Sequence, residues 1–155
     1  MDMCFHYLVS FFLPLTVVTP ILIVKRFGTG IAVYVPYATL GFFMEYYMEW
    51  VLDPALVAPW AAVAWSVLGL CVGLSADLAF RYLPSSLSMK RRALLMGLAV
   101  GIVDFLTTLA ALAFLYVVPG PGVSHFLNAV YFTLPWLLVN SAFGGYTAHA
   151  ISSEL

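Results

Sequence analysis

The chain has 155 residues, of which 64% are hydrophobic and only 8% are charged, and its mean hydropathy is +1.04. A soluble domain carries about a quarter charged residues, so this composition predicts an integral membrane protein. The formal net charge is −1 and the few basic residues flank apolar stretches, so we expect no nucleic-acid partner.

Apolar stretches long enough for the ~20 residues of a bilayer crossing recur along the chain. The sequence predicts an all-α bundle of five transmembrane helices in one domain spanning residues 1–155. We expect the helices over about residues 5–24, 31–52, 56–80, 91–117 and 124–149. The first stretch has an acid and no basic residue before it, which favours a true first helix over a signal peptide.

Prolines interrupt the first predicted helix. Pro14 and Pro20 predict a kink there, which membrane helices tolerate when a neighbouring helix covers the carbonyl that proline leaves free.

The basic residues occupy only two of the gaps between apolar stretches. Lys25 and Arg26 follow the first stretch, and the other four lie between the third and fourth: Arg81, Lys90, Arg91 and Arg92. Five crossings would place all six at the same end. The positive-inside rule then predicts an outside N-terminus and an inside C-terminus in the plasma membrane.

Small residues recur at helical spacing in three of the stretches. The pattern Ala93, Gly97, Gly101 lies on the fourth, Gly69 and Gly73 on the third, and Ser141, Gly145 and Ala148 on the fifth. Such stripes allow helix backbones to approach each other. They predict close packing inside the bundle or, for Ala93, Gly97 and Gly101, a docking face for another membrane subunit.

Carboxyl groups within the apolar stretches are the most informative functional signal. Glu45 and Glu49 lie one turn apart in the second stretch, and Asp104 lies near the middle of the fourth. A charge at the bilayer centre costs about 2.5–3.5 kcal/mol on insertion scales, so such groups are retained mainly for function. With every basic residue at the other end, they are predicted to be protonated, hydrogen-bonded or available to an external cation.

Amide and aromatic side chains accompany these acids at similar depth. The predicted ligand-binding set is Glu45, Glu49, Asp104, Asn140, Tyr46, Trp65 and Trp136. Carboxylates with aromatic rings suit a flat or cationic organic molecule. The alternative is that the aromatic residues form an interfacial belt and that the acids are protonated structural groups.

The remaining polar residues predict no chemistry. Asp77 and Arg81 are four residues apart, which predicts an ion pair on one helix face. Cys4 and Cys71 are not expected to meet, and the histidine spacing requires no metal. We predict no cofactor and, with no nucleophile elbow or phosphate loop, no enzyme activity.

The last stretch also suggests a family. Residues 131–146 contain Pro135, then Asn140, then the pair Gly144-Gly145. This segment resembles the closing helix of substrate-binding (S) components of energy-coupling-factor vitamin transporters. The resemblance implies a vitamin-like ligand near the outer face and docking on a transmembrane coupling subunit. It also implies that Glu45, Glu49, Asp104 and Asn140 contact the ligand, which suits an amine-bearing solute such as a thiamine precursor.

The sequence therefore predicts a small-solute binding or transport subunit with an outward-facing acidic and aromatic pocket. A non-catalytic accessory subunit of a larger membrane complex, such as a respiratory assembly, is the alternative. A proton or cation path through Glu45 and Asp104 is a third possibility, but no chain of acids continues it across the inner half.

Overall fold

The computed structural model describes the backbone of residues 3–45, 61–114 and 121–155. Within those ranges it describes the side chains except at 3–9, 37, 41–42, 44–45, 61–62, 64–65, 108, 111–114 and 121–133.

The described residues form five α-helices and no β-strand. They are α1 (Met3–Val24), α2 (Thr29–Glu45), α3 (Ala61–Tyr82), α4 (Met89–Phe114) and α5 (Pro121–Glu154). The all-α prediction of five helices is confirmed for this part of the chain. The outer ends of three predicted helices, residues 46–52, 56–60 and 115–117, lie outside the described residues.

The fifth helix is longer than predicted at both ends. It begins at Pro121, before the predicted start near residue 124, and continues to Glu154, beyond the predicted end near residue 149. A proline is well tolerated in the first turn of a helix because its missing N–H would have no intrahelical partner there. Small polar residues near the C-terminus, including Ser152 and Ser153, bond back to carbonyls of the same helix.

The helix ends near the basic residues are closed by local hydrogen bonds. Lys25 ends α1 in the left-handed region, with φ of 56°, and its N–H donates to the Ile21 carbonyl at 2.8 Å. Gly28 follows with φ of 92°, a value that glycine adopts without strain. At α4, the Ser88 hydroxyl accepts from the Arg91 N–H at 3.4 Å, as expected of a capping serine.

Helix α1 lies at the centre of the bundle and contacts each of the other four. Among the described side chains, the buried hydrophobic core comprises Leu13, Val17, Val18, Ile21 and Leu22 of α1, with Tyr34, Val72, Ala76, Ala93, Met96, Val100 and Ala148 from the surrounding helices. No other helix contributes as many residues to this core.

The outer surface of the bundle is largely apolar. Exposed large hydrophobic side chains occur on every helix, among them Phe12, Leu40, Val67, Leu106 and Phe143, each more than half exposed. Within the residues that the structure describes, no helix is both long enough and apolar enough to cross a membrane.

Candidate functional site

Asp104 is the predicted ligand residue that the structure describes most fully. It lies on α4 one turn from the buried Val100 and Thr107, which places it at the edge of the face that meets the other helices. The Thr107 hydroxyl donates to the backbone carbonyl of Asp104 at 2.9 Å, so it does not hold the carboxylate. Among the described residues, the carboxylate has neither a hydrogen bond nor an ion pair. Asp104 is half-buried, and its carboxylate can accept a hydrogen bond from a ligand.

Helix α5 approaches α4 just before Asp104. A methyl group built on Gly101 would lie 4.0 Å from the Leu137 carbonyl and closer still to Ser141. Asn140 is half-buried beside Ser141, so it lies within about one helical turn of the level of Asp104. Trp136 is 61% exposed, which places its ring on the outer surface of α5.

The side chains of the other predicted ligand-binding residues lie outside the description. Glu49 and Tyr46 lie outside the described residues. Glu45 is the last described residue of α2 and Trp65 belongs to α3, but their side chains also lie outside the description.

The predicted docking face on α4 is occupied within the chain. A methyl group on Gly97 would lie 2.9 Å from the Gly145 Cα and would also meet the Ser141 carbonyl. Ala93 is fully buried, and its carbonyl faces Gly145. Ala93, Gly97 and Gly101 therefore pack on α5 and are not available to another subunit. The alternative prediction, close packing inside the bundle, describes this stripe.

A cross-helix hydrogen bond joins the same region to α1. The Ser141 hydroxyl donates to the Ser10 carbonyl at 3.0 Å in the buried interior. Ser10 is four residues before Pro14, so its carbonyl is the one that the proline ring deprives of an intrahelical donor. Helix α5 thus supplies a donor to the carbonyl whose usual i+4 N–H is replaced by a proline.

Asp77 has a role that the sequence did not reveal. Its side chain is fully buried, and its two oxygens accept from the backbone N–H groups of Gly30 and Ile31, each at 3.1 Å. These are first-turn donors of α2, where the helix dipole favours a negative group. Asp77 of α3 therefore caps another helix.

The predicted ion pair between Asp77 and Arg81 is wrong. The Arg81 guanidinium lies over the rings of Phe27 and Tyr82, at 5.5 and 5.7 Å from their centroids. The i,i+4 spacing places Asp77 and Arg81 one turn apart on α3, but the Asp77 carboxylate accepts from the Gly30 and Ile31 N–H groups of α2 instead. The signal that could have suggested this is Gly30 opposite Gly73, since two glycines let α2 and α3 approach closely.

The basic residues gather at one end of the bundle, as predicted. Arg81 reaches the segment between α1 and α2, as its contact with Phe27 shows. Arg92 donates to the Phe80 carbonyl in the last turn of α3, and Lys90 lies 4.8 Å from the ring centroid of Tyr146 on α5. These contacts join the α1–α2 segment, α3, α4 and α5 at that end.

A shallow groove runs along the outer side of the α2–α3 pair. It has a volume of about 300 Å³ and is lined by Val35, Ala38, Thr39, Phe43, Ser66 and Leu70. Its walls are almost wholly apolar, so it offers no charged group to a solute.

No group of three potential metal ligands occurs among the described residues. Cys71 is an exposed free thiol, whereas Cys4 has no described side chain.

Comparison with models of known protein families, with curated proteins and with solved structures finds no match to this chain.

Proposed function

We propose that this chain is a multi-pass membrane protein that binds a small cationic solute at Asp104 and helps it across the plasma membrane with partner subunits. The supporting observation is the half-buried carboxylate of Asp104, which has no hydrogen bond or ion pair among the described residues and lies on a largely apolar helix. A carboxylate in such surroundings gains from a cation or hydrogen-bond donor that a ligand brings.

The surface of the bundle supports the membrane part of this proposal. Large apolar side chains are exposed on every helix, whereas several close helix contacts are made by glycine, alanine and serine. Bundles in lipid have this character, because lipid covers apolar side chains and small residues bring backbones together. Residues 3–24 also contain no Asp, Glu, Lys or Arg, as is typical of a membrane-spanning segment.

The charge distribution supports an orientation. With all six basic residues at one end of the bundle, the positive-inside rule places that end in the cytoplasm. The N-terminus is then outside and the C-terminus inside. The resemblance of residues 131–146 to S components of energy-coupling-factor transporters is consistent with a vitamin-like or amine-bearing solute. The proposal assigns no catalytic role, cofactor or metal.

A thermal-shift screen of the detergent-purified protein against amines, quaternary ammonium compounds, vitamins and metal ions tests the solute site. A ligand at 100 times its Kd stabilises the folded form by about 2.7 kcal/mol, which a melting curve detects. Asp104→Asn should abolish the shift. Glu154→Gln is the matched control, because it removes an exposed carboxylate at the C-terminal end of α5, away from Asp104. A shift of equal size in all three proteins would exclude Asp104 as the anchor.

The orientation has a separate test. Ser85→Cys, made in a chain lacking Cys4 and Cys71, adds one thiol to the exposed loop between α3 and α4. A membrane-impermeant maleimide should label it only after cells are opened. Labelling in intact cells would contradict the proposed orientation, and recovery of the protein without membranes would contradict the membrane assignment.

An accessory subunit without its own ligand is the second candidate. The observation that favours it is the 61% exposure of Trp136, a large ring that a neighbouring chain would cover. Asp104 would then pair with a cation of that chain. Silence across the solute screen, with other membrane proteins co-purifying in defined ratio, would favour this candidate.

A further inference from the structure

The groove on the α2–α3 pair has walls that suit hydrocarbon. Its two hydroxyl groups donate to backbone carbonyls: Thr39 to Val35 at 2.8 Å and Ser66 to Ala38 at 3.4 Å. Solute sites place a few convergent polar groups among apolar walls. Here the hydroxyl protons point to the protein's own backbone, so the groove presents an apolar surface to its occupant.

The inner end of the same helix pair carries exposed cations. Lys25 and Arg26 lie in the segment that leads into α2, and Arg81 lies in the last turn of α3. The Arg81 guanidinium is 5.5 Å from the Phe27 ring centroid, so Arg26 and Arg81 belong to one corner of the bundle. This corner lies below the groove at the same end: Val35 is about 9 Å beyond the start of α2, and Arg81 is about 16 Å along α3 from Leu70, a span that the glycerol and upper acyl chain of a phospholipid can bridge.

The first turn of α2 is not itself the anion site. The N–H groups of Gly30 and Ile31 already donate to Asp77. An anion at this corner would therefore be held by side-chain cations at the surface. Arg26 and Arg81 suit this role, since guanidinium groups bind phosphate through paired hydrogen bonds.

We propose that the α2–α3 edge binds an anionic phospholipid of the inner leaflet, with its phosphate beside Arg26 and Arg81 and one acyl chain in the groove. The inference rests on the proposed membrane location and is independent of the solute site at Asp104. The cationic corner suits the lipid phosphate, and the apolar groove suits the acyl chain. Basic pockets of membrane proteins bind anionic lipid head groups in the same way.

Delipidated protein in neutral detergent tests the head-group part. Dioleoyl phosphatidylglycerol should raise the melting temperature and remain bound in native mass spectra, and dioleoyl phosphatidylcholine should do neither at equal concentration. Arg81→Gln should weaken phosphatidylglycerol binding by about fivefold. Arg91→Gln is the matched control, because Arg91 is equally exposed at the same end but lies on α4. Equal weakening by the two variants would reduce the effect to general surface charge and overturn the site.

Filling the groove tests the acyl-chain part. Ala38→Leu should weaken phosphatidylglycerol binding, whereas Ala150→Leu, at an exposed position of α5 that does not line the groove, should not. Thr39→Leu fills the groove from its exposed side and serves as the second variant if Ala38→Leu does not fold. Unchanged binding in the folded groove variants would overturn the acyl-chain contact.

Two further measurements separate the possible sources of failure. Inorganic phosphate at the same concentration should not reproduce the melting shift; a full shift with phosphate would make this a free-anion site and overturn the lipid proposal. Asp104→Asn should keep the phosphatidylglycerol effect. A protein that binds phosphatidylglycerol but no solute would contradict only the solute proposal. A protein that binds a solute but not phosphatidylglycerol would contradict only the lipid proposal.

Discussion

The α4–α5 pair and the α2–α3 pair use glycine for the same purpose but finish the contact differently. Between α4 and α5, Gly97 and Gly145 bring the backbones together, and the adjoining Ser141 extends the contact to α1. Between α2 and α3, Gly30 and Gly73 meet at one end only, beside the Asp77 cap. Farther along, that pair opens into an apolar groove.

This difference separates a sealed interface from one with a free surface. Close backbone contact leaves no space for a ligand between α4 and α5, so that pair serves as a scaffold for Asp104 near its edge. The α2–α3 pair is fixed at its basic end and leaves apolar surface beyond it, which a lipid chain can cover. Substitutions in the two pairs should therefore differ in size and in kind.

The largest effect is expected from Gly145→Leu. Its first added carbon would lie 3.0 Å from the Gly97 Cα and N and would also meet the Ala93 carbonyl, and backbone atoms cannot turn aside as side chains do. Overpacking of this kind costs about 3 kcal/mol or more. We expect a large drop in melting temperature in detergent.

Ala150→Leu is the matched control, because it adds bulk to an exposed position of the same helix. It should leave the melting temperature almost unchanged. A stable Gly145→Leu protein would mean that α4 and α5 are not in backbone contact.

The second effect concerns the α2–α3 cap. Asp77→Ala leaves the N–H groups of Gly30 and Ile31 without their acceptors, which should cost about 2–4 kcal/mol. Hydrogen exchange at these two amides should accelerate more than exchange in α5. Asp77→Asn keeps one acceptor and should lie between Ala and the native protein. Unchanged exchange at Gly30 and Ile31 in the Ala variant would contradict the cap.

These two pairs also show what sequence patterns can reveal. The small-residue stripes at Gly97 and Gly145 predicted close helix contact, because the absence of a side chain is a property of the residue itself. The use of Asp77 was missed because its partners are backbone N–H groups of another helix, which every sequence contains. Only the approach of Gly30 to Gly73 brings those donors within reach.

The candidate site was predicted unevenly for the same reason. Asp104 could be singled out because a carboxyl in an apolar stretch is costly wherever its helix lies. Trp136 was assigned to a pocket by depth alone, and depth does not fix which side of a helix faces outward. Its 61% exposure places it on the outer surface. The roles of Glu45 and Glu49 stay predictions.

The third effect concerns the hydrogen bond from Ser141 to the Ser10 carbonyl. Ser141→Ala should cost about 1–2 kcal/mol, because it removes the hydroxyl that takes the place of the N–H missing at Pro14. Pro14→Ala restores an N–H four residues after Ser10. In the Pro14→Ala background, Ser141→Ala should therefore cost much less, and a double-mutant cycle on melting temperature measures the coupling.

Ser75→Ala is the control for that cycle. The Ser75 hydroxyl donates to the Val72 carbonyl of its own helix at 2.7 Å, where no proline has removed the usual donor. Its loss should be smaller than that of Ser141→Ala. Additive effects of Pro14→Ala and Ser141→Ala would show that the serine does not compensate for the proline.

The smallest effect is expected where α4 and α5 meet at the basic end. Lys90→Gln removes a cation 4.8 Å from the Tyr146 ring centroid, which should cost about 0.5 kcal/mol at this exposed position. Tyr146→Phe keeps the ring and should be neutral. Because the Gly97–Gly145 contact already fixes this pair, the cation adds little to its stability. A loss from Lys90→Gln as large as that from Asp77→Ala would mean that charge at the helix ends, and not backbone contact, holds α4 against α5.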